Sequence, residues 1–134
     1  MIIKNRGEII AIIIRHDYKK DGIEFFTPNS LSLQLAYMGR PVGYKIKPHI
    51  HNGVIREVSG TLEALFIKTG KVKVDLYTAK KKYIRSEILY PNDILLLVGG
   101  GHGFQMLEDS EVIEVKQGPY NGKDTDKEVF NDIA

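Results

Sequence analysis

The sequence predicts an all-β protein with little helix, and three observations carry that prediction. Short apolar and β-branched segments recur along the chain with turn residues between them, the rhythm of a sandwich or barrel. Several of these segments alternate apolar and polar residues with a period of two, which turns one face of a strand toward a core. The most apolar runs, Ile9 to Ile14 and Ile94 to Val98, have the length of buried strands.

The first strand falls over residues 8–15, where five isoleucines and Ala11 form a run that β-branching steers toward extended backbone. Asp21-Gly22 and Pro28-Asn29 mark loops. Leu31, Leu33, Leu35 and Tyr37 then alternate with Ser32, Gln34 and Ala36 until Gly39-Arg40-Pro41 ends the run. Residues 42–48 lead into His49 and His51, and Asn52-Gly53 is a turn signal directly afterwards. A strand over residues 62–67 is stopped by Gly70. Val72, Val74 and Leu76 alternate with Lys71, Lys73 and Asp75, and residues 83–89 return as a hairpin partner across the tip Lys80-Lys81-Lys82. Pro91-Asn92-Asp93 turns the chain into the run 94–98. Gly99-Gly100-Gly101 then gives the backbone room to turn beside His102. Residues 104–107 and 111–116 complete about nine or ten strands. In the polar, acidic tail, Val129, Phe130 and Ile133 suit either a short docked helix or a partly mobile end.

At 134 residues the chain has enough length for one domain with its own core. It contains no cysteine, which excludes disulfides and thiolate chemistry. A net charge of +2 with scattered lysines gives no reason to expect nucleic acid as a partner. No run approaches the ~18 apolar residues of a membrane helix, and the N-terminal run lacks a small-residue cleavage site. A cytoplasmic location without membrane contact is therefore the expectation.

His49 and His51 stand two apart, so on a strand both imidazoles share a face while Ile50 takes the other. Two neutral nitrogen donors converging on one point suit a divalent transition metal. Around them lie Gly43, with five residues before His49, and Glu63, with six residues before Gly70. A third histidine, His102, follows the Pro91-Asn92-Asp93 turn and the apolar run.

These residues resemble the two motifs of the cupin superfamily. Gly43, His49, His51, Glu63 and Gly70 match the first, and Asp93 and His102 match the second. Where the family usually reads Pro-Gly-Asp, this chain has Pro91-Asn92-Asp93. The resemblance covers roughly residues 42–104. It implies a single cupin-type double-stranded β-helix, or jelly-roll barrel, over residues 1–134. The barrel core would span about 30–117, with an N-terminal strand at 8–15 and a tail at 118–134. It further implies one divalent transition metal (Fe, Mn, Ni or Zn) held by His49, His51, Glu63 and His102. Eleven residues separate His51 from Glu63, where cupins usually have three or four. Glu57, with five intervening residues, is the alternative carboxylate, but six residues after it the chain has Ala64 instead of a glycine. The extra segment would form an enlarged loop at the barrel mouth carrying Arg56 and Glu57.

A second resemblance is to cupin-type sugar-nucleotide 3,4-ketoisomerases, carried by Arg6-Gly7-Glu8 before the first strand and by Tyr120, Asp126 and Phe130 after the last. Together these imply a metal-binding cupin acting on a sugar, a sugar nucleotide or another small polar carbonyl or hydroxyl compound. The reaction would be isomerase- or epimerase-like or a dioxygenation, with Glu57 and Tyr120 as candidate proton carriers. The alternative is a non-catalytic carbohydrate-binding module with a pocket lined by Leu65, Ile67, Leu96 and Phe104. The Ile-rich segment 9–14 is more apolar than a free edge strand tolerates, which predicts a homodimer formed through it.

Overall fold

The computed structural model describes residues 1–122 and 127–132. Ten strands form three antiparallel sheets, with no helix among the described residues. The strands are β1 (Ile2–Asn5), β2 (Glu8–Ile14), β3 (Gly22–Phe25), β4 (Ala36–Gly39), β5 (Glu63–Thr69), β6 (Val72–Tyr77), β7 (Tyr83–Leu89), β8 (Ile94–Leu97), β9 (Gly101–Met106) and β10 (Glu111–Lys116). The all-β expectation holds. The docked helix suggested for the tail does not form over residues 127–132, and Ile133 lies outside the described residues. Among the described residues, no helix is long and apolar enough to cross a membrane.

Two compact units are distinguished: Met1–Tyr18 together with Thr61–Ala134, and Lys19–Gly60. The first carries a five-stranded sheet of order β1-β2-β8-β5-β10 and a three-stranded sheet of order β7-β6-β9. Alternation along the strands feeds one shared core. Ile3, Ala11, Ile13, Leu65, Ile67, Leu95 and Leu97 of the larger sheet cluster with Val72, Val74, Leu76 and Leu89 of the smaller. Burying each such side chain contributes ~1.5–3 kcal/mol. Two opposed sheets with a common core make a sandwich.

No sheet closes into a barrel. The physical reason is visible at the corners, where the chain changes sheets instead of extending one. Between β5 and β6, Gly70 has φ +90°, and a Cβ there would lie 2.4 Å from the Asp109 carbonyl oxygen. Between β8 and β9, Gly100 has φ +72°, with the Tyr77 carbonyl oxygen 2.2 Å from where a Cβ would be. Between β7 and β8, Asn92 has φ 70°. That is the left-handed region which asparagine tolerates better than most residues. Ser110, between β9 and β10, accepts the Lys71 N–H at 3.1 Å and so ties two corners together.

β2 pairs with β1 on one side and with β8 on the other. Ala11, Ile12 and Ile13 are almost completely buried. The apolar run is therefore internal to the sheet and is not a free edge. β1 itself was not anticipated; its sequence signal is Arg6-Gly7, a two-residue hairpin turn with Arg6 at φ 51°.

The Lys19–Gly60 unit holds the β3–β4 hairpin. The alternation of residues 31–37 becomes strand only from Ala36 onward. The preceding stretch is drawn into a loop by Gln34, which accepts from the Thr27 hydroxyl at 2.7 Å and donates to the Pro28 and Leu31 carbonyls. Residues 41–60 contain no strand. Pro41 and Pro48 each remove a backbone donor from that stretch.

Candidate functional site

Between the two sheets of the first unit lies a cavity of about 240 Å³. Its walls are Leu65 and Ile67 of β5, Val112 and Glu114 of β10, Val72 of β6, and Phe104 and Met106 of β9. Antiparallel register sets which side chains stand beside it. Glu114 lies opposite Leu65, and Lys116 lies opposite Glu63; on the facing sheet, Phe104 and His102 lie opposite Val74 and Leu76. With period two, Glu63, Glu114 and Lys116 belong to the same inward face as Leu65 and Ile67.

The two sheets approach each other at this end through His102 and Glu63. His102 Nε2 approaches Glu63 Oε2 at 3.5 Å, and Lys116 Nζ approaches Glu63 Oε1 at 3.5 Å. The Glu63 side chain is only 12% exposed. Burial raises its pKa, and the neighbouring Glu114 carboxylate raises it further, against the opposing pull of Lys116. Burial lowers the pKa of His102, assisted by Lys116 and Lys127 and opposed by Glu114. The imidazole is thus held toward its neutral form, able to accept a proton or donate a lone pair to a metal. The His102 ring also lies 5.5 Å from that of Phe104, which extends the apolar wall up to the charged end.

Of the residues singled out from sequence, the structure brings Glu63 and His102 together. His49 and His51 belong to the Lys19–Gly60 unit. They lie outside any strand, both exposed, with ring centroids 5.2 Å apart. The expected strand presenting both imidazoles on one face is therefore absent there; the His49 ring instead lies 2.9 Å through Nδ1 from the Lys47 carbonyl oxygen. Arg56 and Glu57 are exposed in the same unit. Tyr120 is 63% exposed, and the Lys116 ammonium lies 5.7 Å from its ring centroid. Tyr120 thereby borders the charged cluster through Lys116. Asp126 lies outside the described residues. Phe130 seats its ring against Tyr77 at 5.1 Å, beside Gly101. Leu96 is buried, but its neighbours in sequence on the cavity side of β8 are Leu95 and Leu97, so it is not part of the lining. Among the described residues, no group of three or more His, Asp or Glu side chains is gathered as a metal site.

Glu114 and Lys116 were not anticipated. Their signal is the inverted alternation of the last strand, in which charged Glu114 and Lys116 share the inward face while Ile113 and Val115 point outward. Sequence alone favours the apolar pair as the inner face, because apolar burial is the ordinary rule. The chain matches no protein-family model, no curated protein and no solved structure.

Proposed function

We propose that this chain binds a small polar carbonyl or hydroxyl compound, of the sugar or sugar-nucleotide kind, in the cavity between the sheets. The observation that carries the reading is the placement of Glu63, Glu114, Lys116 and His102 on inward faces at the end of an apolar cavity. Glu63 is the most enclosed of the four, and enclosing a carboxylate costs desolvation energy without adding stability, whereas His102, Glu114 and Lys116 remain open to solvent at the cavity's end. An apolar pocket with a few convergent polar groups and perturbed titration is the form of a ligand site. The apolar walls suit the carbon skeleton of a sugar, and the charged end suits its oxygens.

The cupin resemblance adds one divalent metal. Glu63 and His102 fit it as donors: a crowded carboxylate and a neutral imidazole are the ligand chemistry of Fe, Mn, Ni or Zn. His49 and His51 are the further donors which that resemblance names. When bound, the metal would act as a Lewis acid on a ligand carbonyl or hydroxyl. The chain's own groups then divide the remaining work. With Glu63 and His102 as donors, Lys116 steadies negative charge beside them, and Tyr120, which borders the cluster through Lys116, is the candidate proton carrier.

Elemental analysis of protein purified without added metal tests the metal site. About one metal per chain is expected, lost in Glu63→Gln and in His102→Ala and retained in Glu57→Ala. Metal content indifferent to both Glu63 and His102 would overturn it. Calorimetric titration with sugar nucleotides and small keto acids tests the cavity. Val112→Trp, which fills it, is expected to abolish binding while leaving metal content unchanged. Turnover assays on any compound that binds separate an isomerase or dioxygenase from a binding module.

A further inference from the structure

The Lys19–Gly60 unit has apolar side chains without a core to hold them. Thr27 is its single buried residue, and all of the chain's buried hydrophobic residues lie in the other unit. Ten large apolar side chains of the unit are exposed, among them Val42 at 104%, Ile50 at 91% and Ile55 at 99%. On the hairpin, Ile23 stands opposite Met38 and Phe25 opposite Ala36, so one face of that sheet carries exposed apolar residues together. At roughly 100 Å² each, the ten side chains offer on the order of 1,000 Å², comparable with the ~800 Å² per partner that a standard stable interface removes from water.

A surface of matching character exists elsewhere on the same chain. β10 is an edge strand, paired only with β5 among the described residues. Its outward face carries Ile113 at 53% and Val115 at 59% exposure, and Glu111 opens it. Open, apolar edges invite a further strand. Charge agrees with the match. The Lys19–Gly60 unit has six basic residues against three acidic ones, whereas the rest of the chain has thirteen against fourteen. Two such units set against each other would repel; one set against the remainder of another chain would not.

We infer that two copies of this chain associate reciprocally, the Lys19–Gly60 unit of each covering the outward face of β10 of the other. Each copy supplies both surfaces, so the pair closes with two-fold symmetry and leaves neither surface open. The inference is independent of what the cavity binds.

The absence of cysteine allows a direct test. Tagged chain carrying Ile55→Cys is mixed with untagged chain carrying Val115→Cys and treated with a flexible bis-maleimide. A tagged–untagged conjugate is expected, together with a dimer in sedimentation velocity of the unmodified chain at micromolar concentration. Ile50→Asp combined with Ile55→Asp is expected to give a monomer with an unchanged circular dichroism spectrum, because both positions are more than nine-tenths exposed. Three results would overturn the proposal. These are a monomeric unmodified chain, a dimer yielding only Ile55–Ile55 conjugates, or a dimer with no tagged–untagged conjugate. A chain bearing both cysteines that closes only on itself would show instead that the unit covers its own β10.

Discussion

Four hydrogen bonds converge on the fully buried carboxylate of Asp93. One oxygen accepts from the His16 N–H at 2.7 Å and meets His16 Nδ1 at 3.0 Å; the other accepts from the Tyr90 N–H at 2.8 Å and from Arg15 Nη1 at 3.0 Å. Arg15 reaches on to the Ile88 carbonyl and to Glu87. Burial by itself would raise the carboxyl's pKa, but the Tyr90 and His16 N–H groups and Arg15 together hold it below its ordinary value of 3.8. A depressed carboxylate stabilises the folded chain above its unfolded pKa, and that contribution is lost as pH falls through the folded value. Asp93→Ala leaves the His16 and Tyr90 N–H groups without their acceptor, while Arg15 keeps Glu87, and is expected to cost about 1–3 kcal/mol in urea unfolding at pH 7. The deficit of Asp93→Asn should shrink as pH drops below about 4, where the carboxyl of the unfolded chain begins to take up a proton while the folded one stays ionised. A deficit that stays constant from pH 7 to pH 3 would remove Asp93 from this role. The sequence marked Asp93 by its place after Pro91, but its partners Arg15 and His16 lie more than 70 residues away, and no local pattern joins them.

Among the elements, strands that announce themselves by alternation and tight turns are where sequence reasoning succeeds. The β6–β7 hairpin forms around its lysine tip, with Lys81 at φ 68°. The corners are read in part: Gly70 and the glycine triplet were marked as stops, and their further role of switching sheets emerges only with Ser110, Asp109 and Tyr77 packed against them. At Gly70 a methyl group meets both a left-handed backbone and the Asp109 carbonyl. Gly70→Ala is therefore expected to cost at least about 2 kcal/mol. Asn92→Gly, at a corner of similar φ, should stay within about 1 kcal/mol of wild type, because relief of strain offsets greater freedom in the unfolded chain. Matched thermal or denaturant unfolding of the two variants is the check; equal costs would mean that φ and space at these corners do not set stability. Where the reading fails, tertiary context decides. Residues 42–48 have the composition of a strand but no pairing partner to make them one, and β10 turns its charges inward because β5 fixes its register. The same inversion hid half of the candidate site. Glu63 and His102 were legible from motif spacing, whereas Glu114 and Lys116 became visible only through their pairing with Leu65 and Glu63.

Across the whole molecule, stability is expected to fall into two tiers. The unit of Met1–Tyr18 and Thr61–Ala134 has a core drawn from both sheets, and its central strands β2, β8, β5 and β6 are hydrogen-bonded on both sides. Their amides can exchange only through near-global opening. Residues 41–60 have neither strand pairing nor a buried side chain, so in an isolated chain their amides should exchange within about tenfold of the unstructured rate. Association changes the second tier specifically. If two copies cover each other's exposed apolar surfaces, protection over residues 41–60 must rise with concentration, because only the associated state excludes water there. Hydrogen exchange followed by mass spectrometry, from well below micromolar to about 100 micromolar, is expected to show at least tenfold slowing, about 1.4 kcal/mol, in peptides from residues 41–60 and from β10. Peptides from β7, remote from β10 in the sheet order, should follow the global stability alone. Slowing confined to residues 41–60 would place the contact on some surface other than β10. Exchange independent of concentration throughout would leave the ten exposed side chains to be covered within a single chain, against the reciprocal pairing argued from charge, area and the open edge of β10.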